Sequence, residues 1–170
     1  DPTRILRAVR FEERFGFPME QQTLRLLKTA LRQNMVTHVK APRYFAEFKK
    51  MLGESDPVRC LRRLHQLKGL TFLDLKKDVD FRRLTQVHRN LAKRKKNFSS
   101  VLSKNQWLIY FMALVEKTDA QNLEHILAKF NFNNNGKKSI RASHNADALI
   151  KKLSLAHRRR SGIYRLLRPL

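Results

Sequence analysis

The sequence predicts an all-α protein, a multi-helix array without a sheet. Three observations carry this: Gly and Pro number only five each in 170 residues, Leu, Lys and Arg are abundant, and no run of alternating β-branched residues marks a strand. With 42% of its residues hydrophobic the chain can bury a core, so disorder is not expected, and its length suits one domain or one lobe of a larger protein.

The first helix has both ends written into it. Asp1 is a preferred N-cap, Pro2 suits the first helical position, where no backbone donor is needed, and Gly16 stands where a helix end favours positive φ. At about 100° per residue, Arg4, Arg7, Arg10 and Arg14 fall within one arc of roughly 120°, while Ile5, Leu6, Ala8, Val9 and Phe15 fill much of the rest. One face is therefore expected to pack and the other to be cationic.

Leu24, Leu27 and Leu31 give residues 19–32 the spacing of a second helix, with Thr23 and Arg25 outward. After the apolar connection from Met35 to Val39, Pro42 opens a third helix that carries Tyr44, Phe45, Phe48, Met51 and Leu52 and ends at Gly53. Within it, Arg43 and Glu47 have the i, i+4 spacing of an ion pair. Asp56 and Pro57 repeat the Asp1-Pro2 start, and Val58, Leu61, Leu64 and Leu67 lead to a stop at Gly69. This echo shows that Asp-Pro is in itself a general way to begin a helix.

Asp78 and Asp80 suggest a metal site of paired carboxylates, but they open a basic helix over 81–96 instead of ending a strand. Acidic residues in a first turn are favoured by the helix dipole, so capping is the expected role and no metal ligands are expected in this chain. Phe81, Leu84, Val87 and Leu91 form the apolar stripe of that helix. Arg82, Arg83, Arg89, Lys93 and Arg94, with His88, make it the most basic segment and a candidate for phosphate contact.

Ser99, Ser100 and Ser103 mark a connection, and the run from Gln106 to Val115 is too short for a membrane span and reads as a core helix. Thr118 and Asp119 cap a helix that reaches Phe130, an Asn-rich turn covers 131–136, and a helix over about 139–153 follows. Arg158, Arg159 and Arg160 form a dense basic patch near the end, a second candidate for RNA contact.

The charge balance is extreme: 37 Lys and Arg against 14 Asp and Glu give a formal net charge of +23. The excess is spread over many helices and not held in a tail, which suits a folded surface that tracks a phosphate backbone. The single cysteine, Cys60, permits no internal disulfide and reads as packing. With no apolar run of membrane-spanning length and no signal peptide at the start, a soluble, cytoplasmic protein is expected, without membrane association.

The segment Asp1-Pro2-Thr3-Arg4, running through Arg7 and Arg10 to Arg14-Phe15-Gly16-Phe17, resembles the nucleotide-recognition segment of class II tRNA nucleotidyltransferases. That family comprises CCA-adding enzymes, A-adding enzymes and the bacterial poly(A) polymerases related to them. Its signature is Glu-Asp-x-x-Arg followed by an Arg-rich helix ending in Arg-(Phe/Leu)-Gly-Phe, so a Glu is expected immediately before Asp1. The family's third helix begins Ser-x-Glu-Arg and reaches a Glu four residues after the Arg. Arg43 and Glu47 match those last two, whereas Lys40 and Pro42 stand at the Ser and Glu positions, so the Ser cap and the Glu contact do not carry over. The resemblance is strong over residues 1–52 and looser beyond, where Leu64 to Leu70 and the run from Trp107 are similar to family body helices.

The resemblance implies neck-like helices with the nucleotide-recognition motif over 1–53 and a helical, tRNA-binding body and tail over 54–170. A catalytic sheet domain and the carboxylates for Mg²⁺ would lie in cis on the N-terminal side, outside this chain. Asp1 and Arg4 would read incoming ATP or CTP, with Arg7 and Arg10 as supports or phosphate neighbours and with Arg14, Arg43 and Glu47 behind them. A carboxylate only accepts and a guanidinium only donates. Side by side they match the amino donor and ring-nitrogen acceptor that cytosine and adenine present, an order that uracil and guanine reverse. The parent protein would add A or CCA to tRNA 3′ ends, and this portion alone would be inactive. The alternatives are a non-catalytic helical RNA- or DNA-binding module, or a portion of a poly(A) polymerase.

Overall fold

The structure, a computed structural model, describes residues 1–75, 77–94 and 99–154. Those residues hold eight α-helices, two 3₁₀ turns and no strand, as the sequence predicts. The helices are α1 (Thr3–Phe15), α2 (Gln21–Arg32), α3 (Ala41–Leu52), α4 (Pro57–Gln66), α5 (Phe81–Arg94), α6 (Ser99–Val115), α7 (Ala120–Lys129) and α8 (Asn134–Ser154). Two compact units are present, Asp1–Asn131 and Phe132–Leu170. No helix among the described residues is long and apolar enough to cross a membrane.

In the first unit α1 packs against α3 and α4, α3 against α6, and α5 against both α4 and α6. Leu6, Val9, Phe48, Met51, Leu52, Leu61, Leu64 and Leu84 are buried to nothing, and Ile5 and Val58 nearly so. An aromatic cluster joins the layers: Phe45 stacks on Phe130 with centroids 4.7 Å apart and meets Phe111 edge-on at 5.4 Å, while Tyr44 and Phe48 meet Phe72 at 4.8 and 5.1 Å.

The predicted caps act as local chemistry dictates. Asp1 Oδ1 accepts from the Thr3 N–H at 3.0 Å, Asp56 Oδ1 from the Arg59 N–H at 3.2 Å, Asp80 Oδ1 from the Arg83 N–H at 3.0 Å, and Asp119 Oδ1 from the Asn122 N–H at 2.8 Å. Gly16 closes α1 at φ +70°, donating to Glu12 O at 2.9 Å. Helix α2 starts later than its apolar spacing suggests, because Glu20 caps it by accepting from the Gln22 and Thr23 N–H groups. Of its expected stripe only Leu27 is fully buried, with Leu24 and Leu31 half-buried, and Leu26 is exposed.

Three expectations are corrected. Ser99, Ser100 and Ser103 do not form a connection but belong to α6, since serine is only mildly unfavourable in a helix. The Asn-rich stretch is largely a helix start: Asn133 Oδ1 accepts from the Gly136 N–H at 2.8 Å, and α8 is already under way at Asn134. The stop after α4 comes before Gly69: the helix ends at Gln66, and Lys68 takes the left-handed position at φ +58°. Gly69 serves close approach instead, since a Cβ there would lie 2.3 Å from Cδ1 of the buried Leu64.

Candidate nucleotide and nucleic-acid site

The start of α1 and the start of α3 meet at Asp1. Its Oδ1 accepts from both the N–H and the hydroxyl of Thr3, at 3.0 and 2.9 Å, and its Oδ2 accepts from Arg43 Nη2 at 2.7 Å. An ionised carboxylate has about four acceptor sites. Three are in use, so Oδ2 keeps one direction for a further donor. The Thr3 and Arg43 contacts hold the plane of the carboxylate.

Arg4 and Arg7 are exposed and have no hydrogen-bond or ion-pair partner among the described residues. Asp1, Arg4, Ile5 and Ala8 of the first segment face Leu26 and Leu27 of α2 across a cleft of about 360 Å³. Its lining is mostly apolar, with Asp1 and Arg4 as its charged groups, a combination with room for a flat heterocycle and with one donor and one acceptor for its edge.

Arg10 departs from the expected cationic face. It is only 13% exposed, its Nη1 lies 2.8 Å from Glu54 Oε1, and its Nε is buried without a hydrogen-bond partner among the described residues. Arg14, more open, lies 3.7 Å from the same Glu54 oxygen. Neither Arg10 nor Arg14 lines the cleft; both tie α1 to the chain between α3 and α4, where Glu54 O also accepts from Gln106 Nε2 at 2.7 Å. The expected Arg43–Glu47 pair is likewise not formed: Arg43 turns to Asp1, and Glu47 Oε1 accepts from Lys50 at 2.7 Å.

Sequence reasoning passed over the acidic residues that fix α1 from behind. Glu12 accepts two hydrogen bonds from Arg63 of α4, at 2.7 and 3.1 Å, and a third from the Met19 N–H at 3.1 Å. Burial raises the Glu12 pKa, but Arg63 and the Met19 N–H outweigh it and hold the carboxyl below its ordinary value. Glu13 pairs with Arg59 at 3.1 Å. The one signal for these locks was the presence of two carboxylates inside an Arg-rich helix.

Helix α5 presents a second cationic surface. Arg82, Arg89 and Lys93 recur at i, i+7 and i+11, which places them in one stripe, and all three are exposed without partners among the described residues. Arg83 is not equivalent to them: its guanidinium grips Glu116 through two bonds of 2.8 and 2.9 Å. His88 turns inward, its Nδ1 2.6 Å from the hydroxyl of the buried Tyr110. Arg94 ends the described part of the helix, and Arg158, Arg159 and Arg160 lie outside the described residues.

The Asp78–Asp80 pair does not fit a metal ion. Asp80 spends Oδ1 on its cap and accepts from Lys117 with Oδ2 at 2.6 Å, and these bonds, Lys117 first, hold its carboxyl below the ordinary value. No group of three or more metal-binding side chains occurs among the described residues. Cys60 is buried, and burial, with Glu13, Glu54 and Asp56 nearby, pushes its thiol up to about 12, which suits packing and not nucleophilic chemistry.

Residues 16–73 match the model of a family described as the probable RNA and SrmB-binding site of polymerase A. The A-adding tRNA nucleotidyltransferase of Geobacter sulfurreducens is 37% identical over 73 residues, which span 43% of this chain and 8% of that protein. Among solved structures, a CCA-adding enzyme in complex with ATP is similar at 30% identity with a TM-score of 0.73, over 98% of this chain and 40% of its own. The Thermotoga maritima CCA-adding enzyme in complex with tRNA is similar at 29% identity with a TM-score of 0.74, over 100% of this chain and 42% of its own. The chain thus spans less than half the length of each of these relatives.

Proposed function

Because this chain belongs to the class II tRNA nucleotidyltransferase and poly(A) polymerase family, as a helical portion of it, we propose that it serves in a longer enzyme that adds A or CCA to tRNA 3′ ends. Residues 1–53 would supply base recognition, and residues 54–170 would bind tRNA through α5 and the basic end. The observation that carries this reading is the α1–α2 cleft, which is lined by both the oriented Asp1 carboxylate and the Arg4 guanidinium, unpaired among the described residues.

In the proposed site Asp1 Oδ2 accepts from the exocyclic amino group of adenine or cytosine, and Arg4 donates to the adjacent ring nitrogen. A base with the reverse order would leave both groups unpaired, and such mismatches cost more than the lost bond itself. Arg7, one turn along, suits a phosphate. Arg10, Arg14, Arg43 and Glu47 would act as supports. The Mg²⁺ ligands and the catalytic sheet would lie outside this chain, so the chain by itself would extend no tRNA.

The test is Arg4→Ala in the full-length enzyme, assayed with each nucleoside triphosphate. Discrimination for ATP and CTP over UTP and GTP is expected to fall by about tenfold or more, with tRNA affinity kept. Unchanged discrimination would sink the reading.

A further inference from the structure

Nucleotide reading leaves most of the outer face of α1 unexplained. Arg4, Ala8, Phe11 and Phe15 recur at i, i+4, i+7 and i+11 and so form one stripe along the helix. Phe11 is 37% exposed, Phe15 59%, and Phe17, just past the Gly16 turn, 74%. The Phe11 and Phe15 rings stack with centroids 5.8 Å and planes 25° apart, and the Arg10 guanidinium lies 4.4 Å from the Phe11 centroid, so the patch already holds one ring and one cation against an aromatic face. The half-exposed Arg14 guanidinium lies 5.6 Å from the Phe15 centroid, and Arg7 flanks the stripe without a partner among the described residues.

The charge around these rings decides what can cover them. An apolar protein surface would strand Arg4 and Arg7 against it and cover Arg14, whose contact with Glu54 is a loose 3.7 Å, while the acidic residues of α1 are turned away, Glu12 to Arg63 and Glu13 to Arg59. A ligand with flat π faces joined by negative charges satisfies rings and arginines together, as single-stranded nucleic acid does.

We propose that the unpaired nucleotides at the 3′ end of the RNA stack on Phe15 and Phe17, with Arg7 and Arg14 meeting their phosphates. This rests on the function proposed above and deepens it, because the stripe begins at Arg4 in the base-reading cleft. From Arg4 to Phe15 the helix rises about 16 Å, and at about 3.4 Å per stacked nucleotide this leaves room for roughly five. The face thus leads a single strand towards the cleft where the next base is read.

The experiment compares the chain's affinity for an RNA stem with a short unpaired 3′ tail and for the same stem with a blunt end, with a fluorescent adenine analogue in the tail. Phe15→Ala and Phe17→Ala remove exposed rings, so the fold should be kept, which circular dichroism checks. The double variant is expected to bind the tailed RNA about tenfold more weakly or worse, to lose the quenching of the analogue, and to bind the blunt stem as before. Phe15→Trp in place of Phe15→Ala should restore both affinity and quenching. Equal weakening on both RNAs, or unchanged affinity with the analogue never quenched, overturns the stacking proposal while leaving RNA binding in place. No binding of either RNA by the unmodified chain would overturn the RNA-binding reading as well.

Discussion

Arg43, in the first turn of α3, donates from Nη2 to Oδ2 of Asp1 at 2.7 Å. With the Thr3 bonds on Oδ1, this leaves Asp1 oriented and with one free acceptor direction. The Arg43 side chain is 68% exposed, so the pair adds little to stability, and orientation is what remains for it to do. Arg43→Ala is therefore expected to change unfolding free energy by less than about 0.5 kcal/mol. Nucleotide discrimination in the full-length enzyme should nevertheless fall, with Arg43→Lys restoring only part of it, because a freely rotating ammonium does not fix the donor direction as the rigid guanidinium does. A clear loss of stability with discrimination intact would show the pair to be merely structural.

The lock behind α1 is where acid should act. The Glu12 carboxyl is 10% exposed and triply bonded, and its pKa is lowered in the folded state, so the pair stabilises the fold above the unfolded carboxylate range and fades as pH falls through the lowered folded value. Glu12→Gln keeps the shape but removes the charge, and is expected to cost about 2 kcal/mol at neutral pH. In urea unfolding, the gap between wild type and variant should hold steady above about pH 5 and narrow below about pH 4. A gap that persists undiminished into strong acid would mean that the Glu12 charge is not what matters.

What was legible in the sequence is what is decided within a few residues. The caps at Asp56, Asp80 and Asp119 and the Gly16 terminus depend only on neighbouring backbone, and they stand as read. The Asp1–Arg4 pairing is proposed from resemblance, and what the structure adds is that both residues line one cleft. The ion pairs were not legible. Arg10 looked like surface because its helical arc is shared with Arg7, and its partner Glu54 is 44 residues away. Glu47 offered itself to Arg43 by spacing, yet Asp1, 42 residues distant, takes that guanidinium. Long charged side chains reach several helices, so periodicity can say that they point outward but not to which partner. Lys68 taking the left-handed position beside Gly69 has the same origin: a fully buried Leu64, a tertiary fact, fixes where the glycine must be.

Two glycines should fail for different reasons when given a Cβ. Gly16 has φ +70° with nothing within 4 Å of a built Cβ, so Gly16→Ala meets only the backbone penalty of about 1–2 kcal/mol. Gly69 has no such φ, but its Cβ would meet Leu64 Cδ1 at 2.3 Å, and overpacking of this kind costs about 1–3 kcal/mol. The double variant Gly69→Ala with Leu64→Ala should therefore lose less than the sum of the two single changes, whereas Gly16→Ala should add independently to Leu64→Ala. Simple additivity at Gly69 in thermal or urea unfolding would refute the steric account.

The α5 stripe makes a quantitative statement about RNA binding. Arg82, Arg89 and Lys93 point to solvent unpaired among the described residues, while Arg83, next in sequence to Arg82, is held by Glu116. Cations that neutralise phosphates release counterions, so log affinity for tRNA should fall linearly with log salt, by about 0.7 to 0.9 per phosphate contacted. If the stripe tracks the phosphate backbone, Arg82→Ala, Arg89→Ala and Lys93→Ala should each lower the slope by close to 1 and weaken binding without regard to base sequence. Arg83→Ala should leave the slope nearly unchanged, because its charge is already neutralised by Glu116. Arg83 thus serves as an internal control on the same helix, with the same side chain. Equal slope changes for Arg82→Ala and Arg83→Ala would show that net charge alone, and not the geometry of the stripe, draws the RNA. Binding that ignores salt altogether would remove the phosphate backbone as the partner of α5.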